Sequence, residues 1–123
     1  HLTVSERGKM ILVPVDEIVY LRAELKYVTI RTAAREYLTE ESLSSLEAEF
    51  GERFVRIHRN ALVARKSIHG FQRVKGGAGG GEAGDGHWEV LLKELPERLP
   101  ISRRQWPTVK AAARPGTSAA VDP

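Results

Sequence analysis

Hydrophobic positions in this chain fall in short runs, most of them alternating with polar residues at a period of two. Residues 10–15, MILVPV, form a brief apolar run; Pro14 cannot donate to a ladder, so the run predicts an edge strand or one that ends at the proline. Asp16 and Glu17 read as a turn. Two runs rich in β-branched and aromatic residues follow, IVYLRAE at 18–24 and KYVTIRT at 26–32. In the second, Tyr27, Thr29 and Arg31 alternate with Val28 and Ile30. The link around Leu25 is too short for a crossover, which leaves an antiparallel hairpin or a bulged bend. EYLT at 36–39 predicts another short strand after a turn at 33–35.

The period changes at LSSLEAEF, residues 43–50. Leu43, Leu46 and Phe50 fall at helical spacing, Ser42 suits the N-cap, and Gly51 stands where a left-handed C′ residue belongs. FVRI at 54–57 returns to strand, and Asn60 before ALVA predicts a cap on a single helical turn. SIHGFQRV at 67–74 reads as a strand bent or bulged at Gly70, and HWEVLLKEL at 87–95 as its partner, with Trp88, Val90 and Leu92 on one side. Between them, KGGAGGGEAGDG at 75–86 holds seven glycines but no Gly-Lys-Ser/Thr, so it predicts a hairpin connection and not a nucleotide cradle. ERLPIS at 97–102 closes the strand set. Ser102 then predicts the cap of a helix over 103–113, with Pro107 either starting it or making its first turn irregular. The tail from 114 to 123 lacks apolar periodicity and reads as disordered. Many short strands with about two short helices, and no βαβ alternation, predict a mainly β fold of small antiparallel sheets. The boundaries drawn are one domain over 1–113 and a tail over 114–123.

At 123 residues the chain suffices for one self-standing core. It has no cysteine, which excludes disulfides and thiolate metal sites and fits a reducing cytoplasm. No apolar run approaches the ~20 residues of a membrane helix. The first residues hold no apolar signal region and no initiator Met, so the chain reads as a fragment of a longer protein.

The net charge of +3 is modest, but its distribution is uneven. Residues 1–52 carry 6 Lys/Arg against 10 Asp/Glu, whereas residues 53–123 carry 13 against 6. The densest stretch is residues 53–66, RFVRIHRNALVARK, where Arg53, Arg56, Arg59, Arg65 and Lys66 meet no acid. Apolar anchors flank His58, Arg59 and Asn60, an arrangement that pins a short polar turn to a core and turns long donors outward. Such donors suit phosphate oxygens and base edges alike. Ser102, Arg103 and Arg104 stand at an expected helix start, where free N–H groups favour a phosphate. Lys26 and Tyr27 put a basic and an aromatic residue at an expected loop tip. Each has a plainer alternative: Arg103 paired with a surface Glu, Tyr27 packed in a sheet, His58 satisfied in a core.

Catalytic chemistry finds no converging groups. The four histidines show neither metal-ligand spacing nor a paired-acid motif, and Ser44 and Ser45 have no nearby His to activate them. The acids Glu40, Glu41, Glu47, Glu49 and Glu52 read as a helix-terminus pair and a solvated face. Neither catalysis nor a cofactor is expected.

Taken in order, IVYLRAELKYVTIRT, EESLSSLEAEF, FVRIHRNALVARKSI and LPISRRQW resemble the LytTR DNA-binding domain of LytR/AlgR-type bacterial response regulators, nearest the AlgR-like branch. The likeness runs from about Met10 to Ala113, and HRNALV is its most specific part. It implies a mainly β fold that enters the major groove of double-stranded DNA through loops, often bending it, at sites arranged as repeats, with a dimer on the DNA. The site residues it implies are Lys26 and Tyr27 at one groove position, His58 and Arg59 at a second with Asn60 capping the turn, and Arg104 with Arg103 at a third. Electrostatic docking falls to Arg53, Arg65, Lys66 and Arg103. Some members carry Asn where this chain has Arg59, and a guanidinium favours guanine over adenine. The family usually sets a phosphorylatable receiver domain ahead of this one; none precedes His1, so the chain reads as the output half of a cytoplasmic two-component regulator. The competing readings are a basic module docking an acidic protein, and a single-stranded RNA binder using Tyr20, Tyr27 and Phe71 as stacking platforms.

Overall fold

A computed structural model describes residues 1–75 and 86–112. The glycine-rich connection, apart from its two end residues, and the tail from 113 onward lie outside them. In chain order the described elements are β1 (Leu2–Glu6), β2 (Lys9–Val13), β3 (Ile18–Glu24), β4 (Tyr27–Thr32), β5 (Glu36–Thr39), α1 (Leu43–Phe50), β6 (Phe54–His58), β7 (Ala61–Ala64), β8 (Ile68–Val74), β9 (His87–Leu92), β10 (Arg98–Ile101) and α2 (Trp106–Ala112). The strands form three antiparallel sheets: β1-β2, a central β5-β4-β3-β7-β6, and β10-β9-β8.

The central sheet is buried on both faces, and each face builds its own core. Ile18, Leu21, Val28, Ile30, Phe54, Leu62 and Ala64 pack against Leu2, Val4 and Val13 of the first hairpin and Leu43 and Leu46 of α1. Val19, Tyr20, Val55, Ile57, Ala61 and Val63 pack against Val90, Leu92, Leu95, Leu99, Ile101 and, from α2, Val109. β7 shows why its sequence is continuously apolar: all four of its residues are buried, two toward each core. A register shift between Ile18 and Tyr20 explains how the adjacent Val19 and Tyr20 both reach the second core.

The hairpin at 18–32 and the Ser42 cap are as expected. Leu25 and Lys26 form a two-residue turn, and the Ser42 side chain accepts a hydrogen bond from the Ser45 N–H at 3.0 Å. The run at 10–15 is indeed a strand that stops before Pro14, and β8 shifts register between Ile68 and Gly70. Four expectations are corrected. The first strand, β1, went unseen in LTVSE; Arg7 (φ 52°) and Gly8 (φ 79°) make the mirror-image turn that joins it to β2. Gly51 is right-handed (φ −54°, ψ −32°), because a single 3-10 turn over Gly51–Arg53 carries the chain from α1 into β6. Residues 61–64 are strand and not a capped helical turn, since four buried residues satisfy both cores only when extended. Finally, β9 stops at Leu92, short of residue 95; α2 begins at Trp106 with Pro107 in its first turn, after a separate turn over 103–105, close to the later of the two expected starts.

Candidate nucleic-acid interface

The register of the central sheet decides which basic residues meet. β3 pairs with β7 through Tyr20 opposite Val63 and Arg22 opposite Ala61, so β3 ends where β7 begins. The turn at 25–26, between β3 and β4, and the turn at 59–60, between β6 and β7, therefore leave the same end of the sheet. The Ala23 N–H donates to the Asn60 carbonyl at 2.8 Å and ties the two turns together. Adjacent strands lie about 4.8 Å apart, so the turn centres sit roughly 10 Å from each other. A third segment joins them on the far side of β6, where the Ser102 N–H donates to the Ile57 carbonyl at 2.9 Å. Lys26, Tyr27, Arg59, Asn60, Arg103 and Arg104 are all exposed on this end.

The 59–60 turn and the 102–105 segment are held from behind by polar side chains. A register shift between Arg56 and His58 leaves Ile57 as an extra residue in β6. The strand would otherwise turn His58 toward α1; instead it pairs with Ala61, a residue of the second core, and shares a cleft with Arg103, Ser102 and Trp106. His58 Nδ1 accepts the Asn60 N–H at 3.3 Å. The neutral ring then carries its proton on Nε2, which is left as a donor. The turn is thus capped by the His58 side chain and not, as expected, by that of Asn60, whose backbone N–H is the donor.

Arg56, on the opposite face, was counted from sequence only as one more positive charge. Its guanidinium donates to the Arg59 carbonyl and to Glu47 of α1, each at 2.6 Å, with the side chain 19% exposed. It braces the turn that presents Arg59, and Glu47 is its anchor and not part of an idle solvated face. No spacing rule reveals this pair, because it depends on how α1 crosses the sheet.

The third segment is fixed by Ser102, whose carbonyl accepts from Gln105 and Trp106 and whose hydroxyl accepts from Gln105 at 3.2 Å. Trp106 stacks on Trp88 at 4.5 Å between ring centroids and meets the edge of Phe71 at 5.2 Å. Two of the N–H groups expected here as a phosphate seat, those of Gln105 and Trp106, are thus already taken by Ser102, and Pro107 has none. What remains at this position is the reach of Arg103 and Arg104. The same cleft also gathers Arg73 of β8 and His87 of β9, two residues that no motif or spacing joins to His58.

Arg53, Arg65 and Lys66 lie elsewhere. Phe54 pairs with Ala64, so the residues just before β6 and just after β7 leave the opposite end of the sheet. There Arg53 pairs with Asp16 at 2.6 Å, Lys66 approaches the same carboxylate at 3.8 Å, and Arg65 donates to the Glu52 and Ala112 carbonyls. Tyr20 is fully buried and Phe71 packs against the second core, so of the three aromatic residues considered as stacking platforms only Tyr27 is exposed. Among the described residues no group of three His, Asp or Glu could hold a metal ion, and no helix is long and apolar enough to cross a membrane.

The family model of the LytTr DNA-binding domain matches residues 8–114. A positive alginate biosynthesis regulatory protein of Pseudomonas aeruginosa is 45% identical over 105 residues, covering 85% of this chain and 39% of that protein. An uncharacterized response regulatory protein of Yersinia pestis is 26% identical over 110 residues, covering 89% of this chain and 41% of that one. The chain thus spans about two fifths of the length of these relatives. A solved LytTr DNA-binding domain from Bacillus cereus shares the fold, with a TM-score of 0.72 over 90% of this chain and 94% of that one, at 19% identity.

Proposed function

The chain belongs to the LytTR DNA-binding domain family, and from that premise we propose that it binds double-stranded DNA sequence-specifically as the output region of a cytoplasmic two-component transcriptional regulator. The observation that carries the reading is the convergence of three exposed, cation-bearing segments (25–27, 58–60 and 102–104) on one end of the central sheet. Arg59 and Arg104 each present a planar fork that matches the O6 and N7 acceptors of guanine in the major groove. The His58 Nε2–H supplies one more donor to a base edge or phosphate. Lys26 and Arg103 neutralise the backbone beside them, and Tyr27 packs along it. Arg53, Arg65 and Lys66, at the other end, stay outside the contacted surface. Repeated sites, each taking one copy, suit a module that reads with a single edge, and a receiver domain elsewhere in the full protein would control their occupancy.

Selection from a random duplex library tests this. The expected result is an enriched motif bound with a log–log salt slope of about −4, as ~4–5 neutralised phosphates require. Equal retention of single-stranded RNA, or displacement by an acidic polypeptide at equal charge concentration, would replace the reading with one of its competitors.

A further inference from the structure

We infer that Leu25 is a specificity-determining residue, packing its side chain on the C5-methyl group of a thymine in the major groove. The inference rests on the duplex-binding reading above and adds a hydrophobic reader to its polar ones.

Leu25 is the first residue of the two-residue turn joining β3 to β4, and it is 107% exposed. Its φ of 48° lies in the left-handed region, which glycine or asparagine occupies with least strain. A single exposed leucine needs no explanation by itself. Here, however, the chain keeps a γ-branched apolar side chain where both solvent and backbone disfavour it, a combination that points to a functional contact. Among the described residues, the other large exposed aliphatic side chains, Met10, Leu12 and Leu38, lie on β2 and β5 in ordinary extended backbone.

The surroundings suit a polyanion. Leu25 sits at the end of the sheet that also presents Arg59, and Lys26 follows it directly. The nearby Glu24 is paired with Arg22 at 3.1 Å, which offsets the acid at the tip. Among base-pair edges in the major groove, the thymine methyl is the apolar feature an aliphatic side chain can read. Covering one methyl removes about a CH₂ equivalent of apolar surface from water, enough for roughly a fourfold preference.

The test uses this chain and the duplex it selects from a random library. Each thymine of the enriched site is replaced in turn by deoxyuridine, which deletes only the methyl group. One replacement is expected to weaken binding about fourfold, and Leu25→Ala is expected to bind the thymine and deoxyuridine duplexes equally. Leu25→Asn, which keeps the left-handed turn, is expected to lose the same discrimination, separating the side chain from the backbone. An enriched site with no methyl-sensitive thymine, or sensitivity that persists in both variants, overturns the inference while leaving duplex binding intact. A chain that selects no duplex overturns the duplex reading and this inference together.

Discussion

The two ends of the central sheet carry similar numbers of cations and use them differently. At the end bearing residues 53 and 65–66, three short 3-10 turns fold back on the sheet, and the cations, though exposed, are engaged by Asp16 and by main-chain carbonyls. At the end bearing residues 25–26 and 59–60, the turns are two residues long, and Lys26, Arg59 and Arg104 stand out in solvent. Arg59 and Arg104 are supported from behind, by Arg56 and His58 in one case and by Ser102 in the other. Charge density along the chain is highest at 53–66, yet β6 and β7 send the start and finish of that stretch to one end and its middle to the other. A basic segment is therefore a property of sequence, and a basic surface is a property of register.

The sharpest way to break this contrast is to remove one exposed cation from each end. Arg59→Ala and Arg104→Ala are each expected to reduce selected-site affinity by about 1–3 kcal/mol and to relax preference at one base position. Arg53→Ala and Lys66→Ala are expected to leave affinity and salt slope unchanged. Fluorescence anisotropy with the selected duplex at several salt concentrations reads both effects. Equal losses from the two ends would show that DNA contacts the whole length of the sheet.

The contrast also marks what could be read from residues alone. Strong alternation gave the hairpin of β3 and β4, and local capping chemistry gave α1 with Ser42. Those are short-range signals. The three contact segments were each legible as motifs, because His58, Arg59 and the Ser102-Arg103-Arg104 run are compact. Their convergence was not, since it follows from β3 pairing with β7 across forty residues. The bulge at Ile57 is equally silent in sequence: one extra residue inside β6 sends His58 to the face shared with Arg73 and His87. Gly51 shows the converse error, a good local signal for a helix end overruled by the tight connection into β6.

A smaller effect is expected from the support behind the exposed turn. Arg56→Met keeps much of the aliphatic stem but removes the hydrogen bonds to the Arg59 carbonyl and Glu47. The loss in unfolding free energy should be about 1–2 kcal/mol, given partial exposure and the charged partner. Binding to the selected duplex should fall as well, although Arg56 itself need not touch DNA, because the turn bearing Arg59 loses its brace. Glu47→Gln should reproduce part of the stability loss with a milder effect on binding. If Arg56→Met lowers binding but leaves thermal stability at the parent value, Arg56 is a direct contact and the division into presenting and bracing residues fails.

The smallest effect lies between the two ends and asks whether they are held by a common middle. Tyr20 donates from its hydroxyl to Glu97 at 3.3 Å, and Arg31, its cross-strand partner on β4, lies 3.4 Å from the same carboxylate. Burial, and then the negative charge of Glu97, push the Tyr20 pKa above its ordinary value of 10.0. A folded-state pKa above the unfolded one means that the folded chain holds this proton more tightly. The corresponding stability is fully present below pH 10.0 and is lost as the pH rises through the folded-state value. Tyr20→Phe should therefore cost about 0.5–1 kcal/mol at neutral pH, the worth of one long hydrogen bond. It should also show a shallower decline in melting temperature than the parent above pH 10.0. Lysines and the remaining tyrosines titrate in both proteins, so the difference between the two curves isolates Tyr20. Duplex binding at neutral pH should be the same for both, because Tyr20 faces the second core and reaches neither end of the sheet. Parallel alkaline curves would remove Tyr20 from the account, and a change in duplex preference would mean that the junction at Glu97 sets the position of the segment carrying Arg104.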